Sequence, residues 1–482
     1  MIMSYKEAEH RVQNGYQTTL LAGEVTPVSS LMGALNFGLL IGWLMVCPSI
    51  SNSVFNKSRW PVFLCIAYVS MWNLLYTRSP GVIGSIGVGL NSVMCTIMAT
   101  NFMLFHDPRS FKRAVLQSSA IEVARRKSDS QKPRPIAHEE QSDIKITWEP
   151  IPKFGWRRLV WVLDLISGLR GVHWTWKTSP LPKFPSSPAN PPRGINALFS
   201  NNIVRFSIDY LLFDIIKCTM LADPYFIGYP MPTPPPHLAL YIRSPLCLYL
   251  YRMLLATAGG FVAIDMIYTL GKLLQVNILG TQLLGLNAHQ STFPPLWGSG
   301  RAVLHKGLRG FWGETWHQML RLHLASVGDA VADIVLRKQE PRGGSATWTD
   351  RRPPQRLRTI IRVSTVFGLS GVLHAAAAHT LLGPANPRAF FFFFALQPVG
   401  MVLQSVSATQ ALACYPSQLP LIWKRPIRQA ANLSFTLLWL SLCAPLMLDG
   451  FTSGGLWMLE PVPVSFVRGF GFSAEEKRFW CW

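Results

Sequence analysis

The chain has 482 residues, of which 49% are hydrophobic and only 14% charged, against about 25% charged in ordinary soluble domains. So little charge cannot cover a water-facing surface, and the same apolar content excludes intrinsic disorder. The net charge of +21, from 45 Lys and Arg against 24 Asp and Glu, lies between apolar runs, which favours lipid headgroups and anionic small molecules as partners and disfavours nucleic acid.

Met1–Ser30 mixes acidic and basic residues with no basic start before a short apolar core, so no cleavable signal peptide is expected. A helix crosses a bilayer with about 20 apolar residues. Leu31–Pro48, Pro61–Thr77 and Val82–Phe105 meet that length nearly or fully without charge. Ile203–Leu221 carries Arg205, Asp209, Asp214 and Lys217, and Leu246–Leu270 carries Arg252 and Asp265. Val363–Gly383 has only histidines, while Ala389–Trp423 and Ala430–Leu448 are uncharged. Gln318–Leu336 reads as a buried or interfacial helix. The expected fold is all-α and polytopic, with about eight transmembrane helices and a range of seven to ten.

Three regions follow: 1–106 with three spans, 107–200 as a basic cytosolic loop and interfacial segment, and 201–482 as a membrane region carrying the candidate chemistry. Lys and Arg concentrate in Asp107–Arg158, Arg337–Arg362 and Cys414–Arg428. With eight spans all three fall on one side, which the positive-inside bias makes cytosolic, with both termini lumenal. Arg109–Ile151 is the most polar stretch and is expected to be mobile, and Ser179–Arg193 and Tyr229–His237 read as Pro-rich connectors. The eight cysteines form no CxxC pair and lie mostly in apolar runs, so they read as small buried hydrophobes, with neither disulfides nor a metal site expected.

Two stretches carry candidate chemistry. The first is His305–Arg321, after Phe293–Gly298. A helix from Phe311 would put Trp312 and Trp316 one turn apart, and His317 and Arg321 on the adjoining face. Indole faces beside His and Arg suit a flat, partly anionic ligand; an aromatic anchor at the bilayer interface is the competing reading. The second is Phe367–His374. His374 is the twelfth residue of its expected span, near the bilayer middle, where an ionisable group is a functional candidate. A neutral imidazole there can accept a proton, and Gly371 and Ala375–Ala378 leave room beside it. The competing reading is a histidine bonded to a neighbouring helix. His379, about 140° further round the helix, reads as structural. Ser167–Trp176 reads as a headgroup-level segment. The HxxxxD spacing at His138–Asp143 reads as chance, and Gly368–Gly371 is an incomplete nucleophile elbow.

Taken together, RGVHWTW (Arg170–Trp176), FPPLWGS (Phe293–Ser299), LRGFWGETWHQMLR (Leu308–Arg321) and FGLSGVLH (Phe367–His374) resemble the wax synthase-like branch of the membrane-bound O-acyltransferases, of the kind that acetylates fungal secondary metabolites. His173 stands where a small residue is expected. The resemblance implies an integral protein of the endoplasmic reticulum membrane and an acyl-CoA-dependent O-acyltransferase, transferring acetyl from acetyl-CoA to a lipophilic terpenoid or meroterpenoid alcohol. It implies His374 as base and His317 as its polar partner. Trp312, Trp316, Gln318, Arg321 and Arg309 are the expected acyl-CoA contacts, with Ser370 as an oxyanion or positioning group and no metal. A long-chain wax or sterol ester synthase is the alternative enzyme, and a transporter with a buried proton-carrying histidine the alternative from another class.

Overall fold

A computed structural model describes residues 5–116, 146–176, 194–229, 231–280, 284–289, 292–337, 355–414, 421–458 and 463–471. The expected connector 179–193, most of the polar loop with His138–Asp143, and 338–354 of the second basic loop lie outside these residues.

The N-terminal part begins with α1 (Tyr5–Leu21), followed by α2 (Ser30–Val46), α3 (Asn52–Tyr76) and α4 (Val82–Ala99), which runs into a π-helical turn at Thr100–Phe105. Ser29 and Ser51 cap α2 and α3 by accepting the Met32 and Val54 N–H groups, as side-chain oxygens do at helix starts. Two short strands, β1 (Thr26–Pro27) and β2 (Thr77–Arg78), pair in parallel across the ends of this bundle. Between apolar helices, buried amides supply directional links: Asn36 Nδ2 donates to Ser70 Oγ at 3.0 Å and Asn73 Nδ2 to the Met32 carbonyl at 2.9 Å.

Part of the basic loop is ordered in a way the sequence does not suggest. β3 (Lys112–Leu116) pairs antiparallel with β4 (Ile146–Pro150), so the all-α expectation needs this hairpin added. Its backbone also binds the next stretch: the Ala114 N–H donates to the His173 carbonyl and the Thr175 N–H to the Lys112 carbonyl. That sewing buries His173 and Trp174, which corrects the headgroup-level reading of Ser167–Trp176. Trp174 meets Trp161 of α5 (Trp156–Ser167) edge-on at 4.7 Å. Both belong to one core with Leu40, Leu44, Ile66 and Phe102.

The remainder comprises α6 (Gly194–Leu221), α7 (Pro245–Lys272), α8 (Arg301–Lys306), α9 (Arg321–Arg337), α10 (Gln355–His379), α11 (Pro387–Ala395), α12 (Gln397–Cys414), α13 (Leu421–Cys443), α14 (Pro445–Ser453) and α15 (Phe466–Gly469). α6 packs on α7, and α10 sits centrally against α4, α9 and α11. Arg358–Asp333 at 2.5 Å and Arg362–Asp329 at 3.2 Å tie α10 to α9. The α4–α10 contact is made backbone to backbone: a Cβ added at Gly89 would stand 2.2 Å from the Ala376 carbonyl oxygen.

Among the described residues, five helices are long and apolar enough to cross a membrane: Leu31–Ser49, Val82–Phe105, Pro245–Leu279, Gln355–His379 and Pro387–Val406. The α13–α14 pair, bent by 40°, makes a sixth if taken as one span. The other two expected spans fall in α3 and α6, which form as long helices but do not reach that apolarity. The helix bearing His374 starts at Gln355 and ends at His379 instead of covering Val363–Gly383. His374 therefore sits in the last third of its helix, not at the middle, because the polar Gln355–Arg362 turns join it while Gly383 closes on the Ser453 carbonyl. The long run from Ala389 is divided at Leu396 into α11 and α12.

Candidate active site

The segment Phe293–Arg321 is pinned at its entry. Tyr268 donates its hydroxyl to the Pro294 carbonyl at 2.6 Å, and Arg170 Nη1 donates to the Pro294 and Pro295 carbonyls, each at 3.2 Å. The Gly298 N–H donates to the Thr315 carbonyl at 3.0 Å. A Cβ at Gly298 would lie 1.8 Å from the Glu314 carbonyl oxygen, so only glycine fits this crossing. Further on, Gln404 Oε1 accepts the Leu308 N–H at 2.9 Å, Gln404 Nε2 donates to Asn432 Oδ1, and Asn432 Nδ2 donates to the Leu304 carbonyl. Two helices, α12 and α13, thereby hold the turn leading to Phe311.

The expected helix from Phe311 through Arg321 does not form. One π-helical turn covers Phe311–Thr315, Trp316 is extended, and helix resumes at Arg321. The reason lies in the side chains that take the carbonyls. Gln318 Nε2 donates to the Trp312 and Trp316 carbonyls at 3.2 and 2.6 Å, and Arg321 Nη1 to the Gly313 carbonyl and Gln318 Oε1 at 2.8 and 2.9 Å. Exposed Arg309 sits on the preceding helical turn, Leu308–Gly310. Trp312 and Trp316 still meet, with centroids 5.9 Å apart, but His317 and Arg321 share no helix face.

The aromatic side chains converge with the two histidines. Trp316 contacts Phe261, Trp297 and Phe311, and Trp312 contacts Phe367, Phe393 and Phe394. Trp312 Nε1 donates to Oε1 of fully buried Gln397 at 3.0 Å, and Gln397 Nε2 donates to the Phe393 carbonyl. Phe394 stacks on the His374 ring at 4.2 Å. His374 Nδ1 lies 2.8 Å from the Ser370 carbonyl, one turn back. A carbonyl only accepts, so Nδ1 carries the hydrogen and Nε2 keeps its lone pair. Ser370 thus serves through its backbone.

His317 packs beside Trp316 and Trp297, and its buried Nδ1 has no partner among the described residues. Burial, with smaller contributions from His374 and Arg170, pushes its pKa down to about 4; the imidazole is neutral at pH 7. Ring contacts run from His317 through Trp316, Trp312 and Phe394 to His374. His379 is exposed, 3.3 Å from Arg78. His173 lies against Thr292 Oγ1 at 2.5 Å, and burial followed by His289 lowers its pKa to about 4. Among the described residues no three His, Cys, Asp or Glu side chains gather as a metal-binding set.

Tyr268, Gln397, Gln404 and Asn432 are not expected at the site from the sequence, whereas Trp297 belongs to the FPPLWGS stretch. Gln397 and Gln404 did carry a signal: they are amides within an otherwise uncharged apolar run, where polar groups join helices.

Residues 293–396, which contain both histidines, match the model described as the membrane bound O-acyl transferase family. The likeness thus covers the segment that bears Trp312, His317 and His374. Similar curated proteins are fungal. An O-mevalon transferase of Penicillium terrestre is 24% identical over 259 residues, 52% of this chain and 53% of the relative. An O-mevalon transferase of Aspergillus niger is 26% identical, over 51% of this chain and 49% of the relative. An acetyltransferase of Humicola fuscoatra is 25% identical over 30% of each chain. The chain spans about half the length of the first two. No solved structure matches it.

Proposed function

We propose that the protein is an acyl-CoA-dependent O-acyltransferase that moves acetyl from acetyl-CoA to a hydroxyl of a lipophilic terpenoid or meroterpenoid metabolite, in the endoplasmic reticulum membrane. The observation that supports this reading is the His374 ring, whose Nδ1–H is committed to the Ser370 carbonyl, which leaves the Nε2 lone pair to act as a base. The acceptor hydroxyl gives its proton to Nε2 as its oxygen attacks the thioester carbonyl. The tetrahedral oxyanion needs a hydrogen-bond donor, and His317, whose Nδ1 has no partner among the described residues, would supply one. Collapse breaks the C–S bond, and the CoA thiolate takes the proton back from His374. Products are ester and free CoA.

The indole cluster of Trp312 and Trp316 would flank the acyl-CoA or the acceptor, while Gln318 and Arg321 shape the turn that presents it. Arg309, exposed on that turn, remains available to CoA phosphate. The apolar site would limit thioester hydrolysis. The names of the relatives, acetyltransferase and O-mevalon transferase, support a short acyl donor over a long-chain wax or sterol ester synthase. The test is mass spectrometry of purified protein with acetyl-CoA, palmitoyl-CoA and a panel of terpenoid alcohols. Acetate esters are expected; palmitate esters alone would favour the ester-synthase reading, and no ester with either donor would sink both.

A further inference from the structure

The stretch Pro152–Leu163 has no part in the chemistry above, yet its surface is unusual. Phe154 is 68% exposed and Trp156 76% exposed. From Trp156, α5 continues with exposed Val160 (38%) and Leu163 (43%), the i, i+4, i+7 spacing of one helix face. The opposite face is committed to the core: Arg158, Trp161, Val162, Asp164 and Leu165 are all buried. An outward apolar stripe on a helix whose inward face is already packed needs a non-aqueous surrounding.

The structure says what that surrounding is. Arg158 fixes the start of α5 to the end of the first apolar span: its Nη1 donates to the Met45 carbonyl at 2.7 Å and to Ser49 Oγ at 2.9 Å, and its Nε to the Pro152 carbonyl. That helix, Leu31–Ser49, is long and apolar enough to cross a membrane and ends at these residues. Trp156 and Phe154 therefore sit at the level of one membrane face, where aromatic rings concentrate. Exposed Lys153 and Arg157 alternate with the two rings, cations beside aromatics as an anionic headgroup layer requires.

We infer that Pro152–Leu163 is an in-plane membrane-interface element: Phe154, Trp156, Val160 and Leu163 enter the headgroup–acyl boundary of the protein's own bilayer, and Lys153 and Arg157 meet lipid phosphates. It carries the β3–β4 hairpin with it, laying that hairpin on the membrane face. The occupant of the stripe is lipid, not a second protein.

Benzoylphenylalanine is placed singly at Phe154, Trp156 and Leu163 of the full chain, in phosphatidylcholine–phosphatidylserine liposomes, with Leu64 in the middle of α3 as a lipid-facing control and Lys112 of β3 as an aqueous-facing one. After irradiation, mass spectrometry reads the adducts. Lipid adducts at 154, 156 and 163, at yields well above position 112, are expected, with attachment near the glycerol and first acyl carbons. Adducts at 64 but none at 154 and 156 would overturn the inference. So would protein–protein cross-links in place of lipid, or attachment at the acyl-chain ends, which would make α5 a re-entrant helix. None of these outcomes depends on whether the protein forms esters.

Discussion

At the scale of single residues, His374 and His379 make the sharpest contrast. General-base catalysis contributes about 10²–10⁴-fold, so His374→Ala is expected to lower kcat by that range with acyl-CoA binding retained. His379→Ala, at an exposed ring beside Arg78, should leave kcat within about twofold, against that same range for a base. Retention of more than a tenth of turnover in His374→Ala would move the base elsewhere. A second prediction concerns His323, fully buried between Phe102 and Trp176, with neither ring nitrogen partnered among the described residues. Burial pushes its pKa down to about 4. The unfolded imidazole binds a proton near its ordinary pKa while the folded one does not, so stability falls as pH drops from about 6.5 towards 4. His173 and His317 act with the same sign. His323→Phe should therefore flatten the acid loss of Tm in detergent; an unchanged slope would show that His323 protonates without unfolding. His374 was legible because an ionisable group in an apolar run stands out, and His317 because it lies with Trp312, Trp316 and Arg321 in one aromatic and basic stretch. The engagement of Arg321 with the Gly313 carbonyl was not, because it depends on a chain path that leaves the helix.

Elements show where periodicity stops informing. The π-helical turn at Phe311–Thr315 reads in sequence as ordinary helix, since its residues have unremarkable helix preferences and the carbonyl partners come from Gln318 and Arg321. The β3–β4 hairpin was hidden for the opposite reason: its strands hold polar and apolar residues in the composition of a loop, and their pairing is long-range. Gly298 tests the crossing that positions the turn. With Glu314 oxygen 1.8 Å from a would-be Cβ, Gly298→Ala should destabilise by about 1–3 kcal/mol, the usual range for overpacking. Gly300→Ala, with open space around its Cβ, should stay within about 0.5 kcal/mol. Thermal unfolding in detergent measures both, and equal Tm values for the two variants would mean that the segment yields at no cost.

For the whole molecule, the polytopic helical character followed from composition, and seven of the eight expected spans lie within one helix or an adjoining helix pair apiece near the expected place; Ala389–Trp423 breaks across α11, α12 and the start of α13. What hydropathy did not fix is parity. Among the described residues between Lys112 and Lys424, three helices pass as spans: Pro245–Leu279, Gln355–His379 and Pro387–Val406. If α6 also crosses, the count becomes four, and the two lysines lie on the same side. The Lys and Arg distribution requires the same side. Cysteines introduced by Lys112→Cys and Lys424→Cys should both react with an impermeant maleimide added outside sealed microsomes. Reaction of one only from outside and the other only after permeabilisation would show that α6 does not cross.

The close approach of α4 to α10 carries a genetic consequence. Gly89 stands on a helix with no candidate site residue, nearly 300 positions before His374 in the chain, yet any side chain there collides with the Ala376 carbonyl two residues past that histidine. A random-mutagenesis screen for lost product should therefore return substitutions at codon 89 alongside those in the His317 and His374 segments. Intragenic suppressors of Gly89→Ala should map to Thr380, whose hydroxyl is the side-chain atom nearest the added methyl. The reading frame of such a screen would trace a tertiary contact that no sequence motif announces.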